Sequence, residues 1–206
     1  MRSPLLTGFL VSALVAGCSG AFPEAIDAAG PPATDGGGNN NGEGPSALPF
    51  AVDDWYGPAG YMGDGEHPGA IADAMTCVAS RPSTWIGNCH RYTWTPSGTA
   101  WAGVYWQYPD GNWGDQPGLP IPAGATKISF RAWGATGSEK VDFMAGMMAV
   151  DGFQLVQTQI ALTATPQQYS LPMGSTAYAK VVGGFGWVAK DATAPFTFHI
   201  DDIRWE

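Results

Sequence analysis

From Leu48 to the C-terminus, the chain is a succession of short segments in which apolar and polar residues alternate, separated by glycine and proline. Alternation with a period of two is typical of strands that bury one face, and Gly and Pro mark the turns between them. The segments are PFAVDDWY, CHRYTWTP, WAGVYWQYP, TKISFRAW, EKVDFMAG, FQLVQTQIAL, QQYSLP, AYAKVVGGFGWV and PFTFHIDDIRWE. Only residues 68–78, PGAIADAMTCV, favour a short helix or helical turn. Strands without intervening helices predict an all-β domain of antiparallel sheets, as a β-sandwich or jelly roll.

The composition supports this fold class and excludes some partners. The 206 residues include 29 Gly and 17 Pro, and only 13% are charged, which is a turn-rich composition poor in helix formers. The formal net charge is -9, with 9 Lys and Arg in total, so a basic patch for nucleic acid cannot be assembled. A neutral ligand, or a cation held by carboxylates, is more compatible with this negative net charge. The acidic charge also has the simpler interpretation of solubility.

The N-terminus has the form of a targeting segment. Arg2 precedes an apolar run over residues 5–16 that is too short to span a bilayer comfortably. The run ends in VAGC, which resembles a bacterial lipobox whose Cys18 is acylated and becomes the mature N-terminus. We therefore predict a lipoprotein signal peptide over residues 1–17 and lipidation of Cys18. An ordinary secretory signal with a chance cysteine is the alternative.

A tether is predicted to follow the lipidated cysteine. Residues 18–47 are rich in Gly, Pro and Asn and have almost no bulky apolar side chains, so they cannot bury enough surface to offset the entropy of ordering. As a flexible coil, the tether would hold the domain, residues 48–206, roughly 30 Å from the anchor. We expect a monomer in the bacterial cell envelope that contacts the membrane through its lipid only. Because Asp does not follow Cys18, the outer membrane or cell surface is favoured over the inner membrane.

Two further cysteines, Cys77 and Cys89, are predicted to form a disulfide. The targeting segment places them in an oxidising compartment. They lack the paired Cys and His spacing of a zinc site. The alternative to a disulfide is two free thiols. Closing a loop of this length would stabilise the fold by about 3 kcal/mol.

Alternation also assigns the two faces of the strands. Phe130 and its period-two neighbours are expected to face inward, and Arg131 and Trp133 outward. In WAGVYWQYP, Trp106 and Tyr108 are expected to face inward, and Tyr105 and Gln107 outward. If these strands are neighbours, four outward side chains form one surface: Tyr105, Gln107, Arg131 and Trp133. The tryptophans assigned to the core are Trp94, Trp106, Trp187 and Trp205.

The region from about residue 48 resembles the galactose-binding-like jelly-roll domains, notably the carbohydrate-binding modules attached to glycoside hydrolases. FTFHIDDIRWE looks like the closing strand of such modules, and ATKISFRAWGATGSEKVDF is similar to their central hairpin, as is PQQYSLPM. The resemblance implies a β-sandwich that binds a polysaccharide or oligosaccharide on a sheet face or in end loops. In several such families it also implies a structural calcium between the first and last strands.

The candidate calcium ligands are acidic residues of the first and last strands. Asp201 matches the family position, and its partner would be Asp53 or Asp54, with Asp202 beside them. Calcium takes about six to eight oxygen ligands, and gathering carboxylates without a cation is costly. The chain departs from the common Phe-Glu pair of the family at the first strand. The alternative is that these residues are acids of turns and edge strands.

The candidate carbohydrate ligands combine aromatic rings with polar groups. Aromatic rings stack on the apolar faces of sugars, while amides, carboxylates and guanidinium groups bond the hydroxyls. Besides the outward surface of four side chains, the loop after WAGVYWQYP offers Asp110, Asn112 and Trp113. The alternative is that the aromatic residues fill the core, and Trp113 is balanced between binding and packing.

The sequence offers little for catalysis. Nothing in the sequence pairs two carboxylates as acid and base for glycoside hydrolysis, the histidines are scattered, and Gly-x-Ser-x-Gly is absent. The favoured hypothesis is a membrane-anchored lipoprotein that binds carbohydrate without chemistry, through an open groove. A structural or protein-interaction module would instead have its outward side chains covered by loops. A glycan hydrolase or lyase would have two carboxylates facing each other across the groove.

Overall fold

The computed structural model describes residues 43–63, 69–75, 77, 81–97 and 100–206. The predicted signal peptide, Cys18 and the tether as far as residue 42 lie outside the described residues. The strands are β1 (Phe50–Ala51), β2 (Gly57–Gly63), β3 (Ala70–Ala74), β4 (His90–Thr95), β5 (Trp101–Gln107), β6 (Leu119–Pro120), β7 (Lys127–Gly134), β8 (Lys140–Ala145), β9 (Leu155–Ala161), β10 (Gln167–Pro172), β11 (Lys180–Val181), β12 (Gly183–Lys190) and β13 (Phe196–Trp205). A 3-10 helix covers Val52–Asp54, and a short α-helix, α1, covers Met148–Asp151.

Two antiparallel sheets form a β-sandwich, which confirms the predicted fold class. The six-stranded sheet has the order β10-β7-β13-β4-β3, with β1 paired to β13. The five-stranded sheet has the order β2-β5-β12-β8-β9, and β6 and β11 form a separate pair. Neighbours in each sheet run antiparallel. Most pairs join strands far apart in sequence, so the fold is built from non-local contacts.

Aromatic side chains from the inner faces of both sheets form the core. The four tryptophans assigned to the core are fully buried, as predicted: Trp94, Trp106, Trp187 and Trp205. Rings from opposite sheets meet edge to face, with centroids 5.9 Å apart for Tyr92 and Trp106 and 4.9 Å apart for Trp187 and Phe198. Each such pair stabilises the fold by about 0.5–1.5 kcal/mol beyond the contribution from burying its apolar area.

The alternation used to assign inner faces holds in the central strands. Phe130 and its neighbours Ile128 and Ala132 are buried against the core. Tyr92 and Trp94 of β4 face inward, whereas Arg91, which directly precedes Tyr92, is exposed. The hydrophobic pattern therefore fixes the side of the sheet on which each side chain lies.

The helix predicted within residues 68–78 is wrong, because the structure has strand β3 there. Its register pairs Ile71 with Trp94 and Asp73 with Tyr92, so these two side chains of β3 face inward. The sequence AIADA has a period of two that is masked by small residues with weak strand preference. Cross-strand pairing with β4 overrides that local preference.

The predicted disulfide is confirmed. Cys77 and Cys89 are bridged, with Cα atoms 5.5 Å apart, within the usual range for a disulfide. Cys89 lies immediately before β4, so the bridge ties the segment between β3 and β4 to the start of β4. Separately, the described part of the chain contains no helix long and apolar enough to cross a bilayer.

Candidate functional site

The outer face of the six-stranded sheet carries a row of polar and aromatic side chains. In the register of β7 against β13, Trp133 lies opposite His199 and Arg131 opposite Asp201. The rings of Trp133 and His199 stack, with centroids 4.8 Å apart and an interplanar angle of 2°. Burial lowers the pKa of His199, and the charge of Arg91 acts in the same direction. The imidazole is therefore neutral at pH 7 and stacks as an uncharged ring.

A segment between the disulfide cysteines brings a second indole onto this face. The ring centroid of Trp85 lies 4.7 Å from the guanidinium carbon of Arg131, which is a cation–π contact. The rings of Trp85 and Trp133 are 6.4 Å apart. Trp133 is only 5% exposed, so the prediction that it presents an open ring is wrong. Alternation gave the direction of the side chain correctly but could not show the segment that covers it.

A β-bulge in β13 supplies the contacts that hold this segment. The pairing of β13 with β7 shifts between Asp201 and Arg204, and Asp202 has a positive φ of 56°, a conformation that Asp tolerates better than most residues. Arg81 donates to the Asp201 carboxylate at distances between 2.6 and 2.9 Å. The backbone N–H of Ile86 donates to Asp202 Oδ1 at 2.9 Å. The bulge thus lets two successive carboxylates hold the same segment.

Next to Trp85 lies a cleft of about 240 Å³. Its lining residues are Thr84, Trp85, Arg131, Gln168, Asp202, Arg204 and Glu206. The two guanidinium groups and two carboxylates offset each other, so the cleft has no formal net charge although the chain carries -9. An indole, an amide and paired charges together offer a stacking surface, donors and acceptors. This combination suits a neutral ligand rich in hydroxyl groups.

The charged side chains of the cleft are held by their neighbours. Arg204 donates to Asp202 Oδ1, and Arg131 Nε lies 3.5 Å from Asp202 Oδ2. Burial alone would raise the pKa of Glu206, but hydrogen bonds from Ser129 and Lys127 lower it below its ordinary value. Glu206 is therefore a carboxylate at pH 7 and can act only as a hydrogen-bond acceptor.

The four outward side chains predicted to share one surface lie on different sheets. Tyr105 and Gln107 belong to β5, whose partners are β2 and β12, whereas Arg131 and Trp133 belong to β7 in the other sheet. The predicted single surface is therefore wrong. Alternation fixes the side of a strand, but which strands become neighbours depends on pairing between distant segments.

Tyr105 and Gln107 are also covered. The Tyr105 hydroxyl donates to Gly146 O at 3.1 Å and accepts from Gln154 Nε2 at 2.7 Å. Burial raises the pKa of Tyr105 to about 12, against the opposing effect of the Gln154 hydrogen bond. Gln107 is fully buried, and its amide lies so close to Gly60 that a Cβ there would meet the Gln107 Cδ at 2.6 Å. Both side chains pack on the outer face of the five-stranded sheet instead of lining a groove.

The loop after β5 is organised by Asn112. This side chain is 3% exposed and donates to the carbonyls of Tyr108 and Gln116 at 2.9 and 2.8 Å. Its Oδ1 accepts from the backbone N–H of Gly114 and of Gln116. Asn112 therefore shapes the turn, whereas Trp113 is 36% exposed and available to a partner. Asp110 lies exposed in the same loop.

Of the predicted calcium ligands, Asp53 and Asp54 lie in the 3-10 helix directly after β1, and β1 pairs with β13, the strand of Asp201 and Asp202. Their carboxylates nevertheless have protein partners. Asp201 is bound by Arg81 and Asp202 by Arg204. Within the described ranges, no group of three or more His, Cys, Asp or Glu side chains is arranged to hold a metal ion. Arginine side chains occupy positions beside these two carboxylates, where the sequence prediction placed a cation.

Asp53, in the 3-10 helix after β1, shows the same pattern. Asp53 Oδ1 accepts from Trp106 Nε1 at 2.8 Å and from His90 Nε2 at 3.0 Å, and Oδ2 accepts from the Asn88 N–H at 2.8 Å. Asp54 is exposed, and burial, with the nearby charge of Asp53, raises its pKa. These carboxylates fit a calcium site poorly, since the Asp53 carboxylate already accepts three hydrogen bonds. Calcium binding itself stays a prediction.

Sequence reasoning missed several residues of the cleft: Thr84, Trp85, Gln168, Arg204 and Glu206. Trp85 had a usable signal, since it stands in the polar segment RPSTWIGNCH next to a predicted disulfide cysteine. Gln168 lies opposite Arg131 in the register of β10 against β7. That pairing could not be inferred from either segment alone.

A second, larger hollow of about 440 Å³ has a different character. It is lined by Ile121, Ala123, Gly124, Thr176, Ala177, Tyr178 and Ala179. The Tyr178 hydroxyl donates to Pro122 O at 2.9 Å and accepts from Ala125 N at 2.7 Å. The one phenol in its lining is thus occupied by the backbone, and no charged side chain lines the hollow. It offers less to a polar ligand than the cleft beside Trp85.

No family model matches the chain, and no curated protein matches it. Similar solved structures include the family 11 carbohydrate-binding module from Clostridium thermocellum in complex with a β-1,3-1,4-mixed-linked tetrasaccharide, at 14% identity over 71% of this chain and 86% of that chain, with a TM-score of 0.47. Another is the family 30 module of a cellulosomal cellulase of Clostridium thermocellum, at 14% identity over 65% and 80% of the two chains, with a TM-score of 0.41. A variant of a family 29 module matches at 8% identity over 66% and 91%, with a TM-score of 0.35. These are distant resemblances, and the tetrasaccharide is a ligand of the first of those modules.

Proposed function

We propose that this chain binds a neutral polysaccharide or oligosaccharide without converting it, through the cleft beside Trp85. The observation that carries the proposal is an indole next to a charge-balanced set of donors and acceptors in one cleft. The ring stacks on the apolar face of a sugar, and Arg204, Gln168 and Glu206 bond its hydroxyls. The cleft of about 240 Å³ is smaller than the roughly 300–1000 Å³ of sites for drug-sized ligands. It therefore accommodates about one sugar unit of a longer glycan.

The carboxylates of the cleft favour binding over hydrolysis. A glycosidase needs one carboxyl group that stays protonated to act as general acid. The pKa of Glu206 is lowered by the hydrogen bonds of Ser129 and Lys127 despite its partial burial. Asp202 is held by Arg204 and lies 3.5 Å from Arg131 Nε. The lowered pKa keeps Glu206 in its charged form, which serves as an acceptor for hydroxyl groups.

Binding is tested with the whole chain carrying Cys18→Ser, which removes the predicted lipid site. Its retardation is measured by affinity electrophoresis through gels that contain mixed-linkage β-glucan, xyloglucan or galactomannan. Trp85→Ala is expected to weaken binding about tenfold, the effect of losing a stacking contact worth about 1.5 kcal/mol. Trp113→Ala is the matched control, since it removes an exposed indole outside the cleft. Migration unaffected by every neutral polysaccharide would overturn the proposal, and a release of reducing ends would indicate an enzyme.

The proposal extends to the N-terminus, where a lipid on Cys18 would display the domain on the bacterial envelope. The lipobox-like VAGC and the Gly-rich tether that follows it support this part of the proposal. Metabolic labelling with a fatty acid is expected to mark the chain and to fail in the Cys18→Ser variant. Equal labelling of both forms, or of neither, would reject acylation at Cys18.

A role in protein interaction is the second candidate, and one observation favours it. Trp113, Met148 and Val150 are 36%, 60% and 37% exposed. The loop and α1 approach each other closely, since a Cβ on Gly114 would lie 2.8 Å from Val150 Cγ2. Exposed apolar side chains that cluster mark interaction surfaces. Under this hypothesis Trp113→Ala abolishes partner capture from envelope extracts, while Trp85→Ala leaves it unchanged.

A further inference from the structure

We infer that Arg81 is a positioning residue for the cleft: together with Asp201 it holds Trp85 over the six-stranded sheet. The inference rests on the proposed function, because it names what makes the cleft ready for a ligand. Arg81 is not among the residues that line the cleft. Its influence on binding must therefore pass through the segment that it holds.

The guanidinium group of Arg81 joins the last strand to the residue that follows Trp85. Its Nε donates to both oxygens of Asp201 at 2.9 and 2.8 Å, and its Nη2 donates to Asp201 Oδ1 at 2.6 Å. The same Nη2 donates to Ile86 O at 2.7 Å. The Ile86 N–H donates to Asp202 Oδ1 at 2.9 Å. The N–H of Ile86 is thus bound by the bulge of β13 directly, and its carbonyl is bound through Arg81. Trp85 directly precedes Ile86.

The burial of Asp201 makes this contact hard to replace. The Asp201 side chain is fully buried, whereas that of Arg81 is 28% exposed. A buried carboxylate needs a counter-charge and several hydrogen bonds, and a bidentate guanidinium group meets both needs. The Asp202 N–H adds a further bond to Asp201 Oδ1 at 2.6 Å. The hydrogen bond with Asp201 raises the pKa of Arg81, which keeps the guanidinium group charged.

The disulfide and Arg81 restrain different parts of the segment. Cys77–Cys89 fixes the two ends of the connection between β3 and β4. Arg81 fixes its middle against a strand 120 residues away in sequence. Loss of Arg81 leaves the ends tied while Trp85 gains freedom. Such freedom must be removed again when a ligand binds, and this lowers affinity.

The test is a double-mutant cycle between Arg81 and Trp85 in the whole chain carrying Cys18→Ser, with retardation by mixed-linkage β-glucan, xyloglucan or galactomannan as the probe. Arg81→Met is expected to weaken binding several-fold in the parent. In a chain that already carries Trp85→Ala, it is expected to have no further effect. An equal loss in both backgrounds would overturn the inference, since Arg81 would then act independently of Trp85. Arg91→Met is the matched control. Arg91 is an exposed residue of β4 and lies opposite His199 in the pairing of β4 with β13. Its affinity is expected to match the parent.

A second readout needs no ligand and separates this inference from the proposed function. In Arg81→Met, hydrogen exchange at the Ile86 amide is expected to accelerate at least tenfold more than exchange at the amides of β7. Arg81→Lys keeps a charge beside Asp201 but cannot form the bidentate contact, so it is expected to give an intermediate rate. Unchanged exchange at Ile86 in both variants rejects the positioning role. Faster exchange in a chain that binds no polysaccharide supports the positioning role and rejects the proposed ligand.

Discussion

His90 Nε2 lies 3.0 Å from Asp53 Oδ1 inside the sandwich, where both side chains are almost completely buried. The other ring nitrogen, Nδ1, lies 3.1 Å from Asp73 Oδ2. Burial alone would lower the pKa of His90, but hydrogen bonds to the two carboxylates, and their charges, raise it to about 10. The imidazolium therefore donates to both carboxylates. It links the segment after β1 to β3 through β4.

This network predicts a loss of stability at alkaline pH. The pKa of His90 is about 10 in the folded chain against an ordinary value of 6.5, so between these values the folded state holds a proton that the unfolded state lacks. The contribution of His90 to the stability of the fold is complete below pH 6.5 and is lost as the pH rises toward about 10. We expect the melting temperature followed by circular dichroism to fall between about pH 7 and 10.

The His90→Gln variant is the control for this pH dependence. At neutral pH it is expected to lose about 3–5 kcal/mol of stability, since it leaves buried carboxylates without a counter-charge. Its melting temperature should then depend much less on pH over the same interval. Parallel curves for the parent and the variant would show that another group causes the alkaline loss.

Trp133 and Trp113 are expected to respond in opposite ways to truncation. Trp133 is 5% exposed between Trp85 and His199, so Trp133→Ala should cost about 3–5 kcal/mol of the free energy of unfolding. Trp113 is 36% exposed, so Trp113→Ala should change it by only about 0.5 kcal/mol. Urea titrations with equal m-values provide the measurement. Similar costs for both variants would contradict the assignment of Trp133 to a covered position.

Local alternation was enough to predict most strands and the inner face of each. Strand β10 has the bounds of the predicted segment QQYSLP, and Phe130 faces inward as its position in β7 required. Strand β2, GPAGYMG, was missed because its glycines hide the alternation. One of those glycines, Gly60, leaves room for the buried amide of Gln107. A strand that needs glycine for packing loses the hydrophobic signal by which strands are recognised.

The candidate site was much less predictable, because its parts meet only through tertiary pairing. The sequence showed that Asp201 and Asp202 are adjacent acids, and a cation was the natural partner to expect. The actual partner of Asp201 is Arg81, 120 residues away. The bulge that turns both carboxylates outward depends on the pairing of β13 with β7. No local pattern contains this information.

Reduction of the disulfide is expected to weaken the domain without changing its fold. The bridge between Cys77 and Cys89 closes a short connection, so its loss should lower the free energy of unfolding by about 3 kcal/mol. The Cys77→Ser/Cys89→Ser double variant should match the parent treated with a dithiol reductant. Because Arg81 still holds the segment, exchange at the Ile86 amide should not accelerate more than exchange at the amides of β7. A cooperative unfolding on reduction at room temperature would contradict this prediction.

Chelation tests whether the acidic residues at the strand ends hold a cation. A calcium ion at a hundredfold excess over its Kd would stabilise the folded state by about 2.7 kcal/mol, which raises the melting temperature of a domain of this size by about 5–10 °C. We expect no such difference between EDTA and added calcium, because Arg81 and Arg204 already offset the charges of Asp201 and Asp202. The Arg81→Met variant sharpens the comparison: with the guanidinium group gone, Asp201 becomes available, and calcium should protect the variant more than the parent. A clear stabilisation of the parent by calcium, lost in Asp201→Asn, would instead restore the calcium site predicted from the sequence.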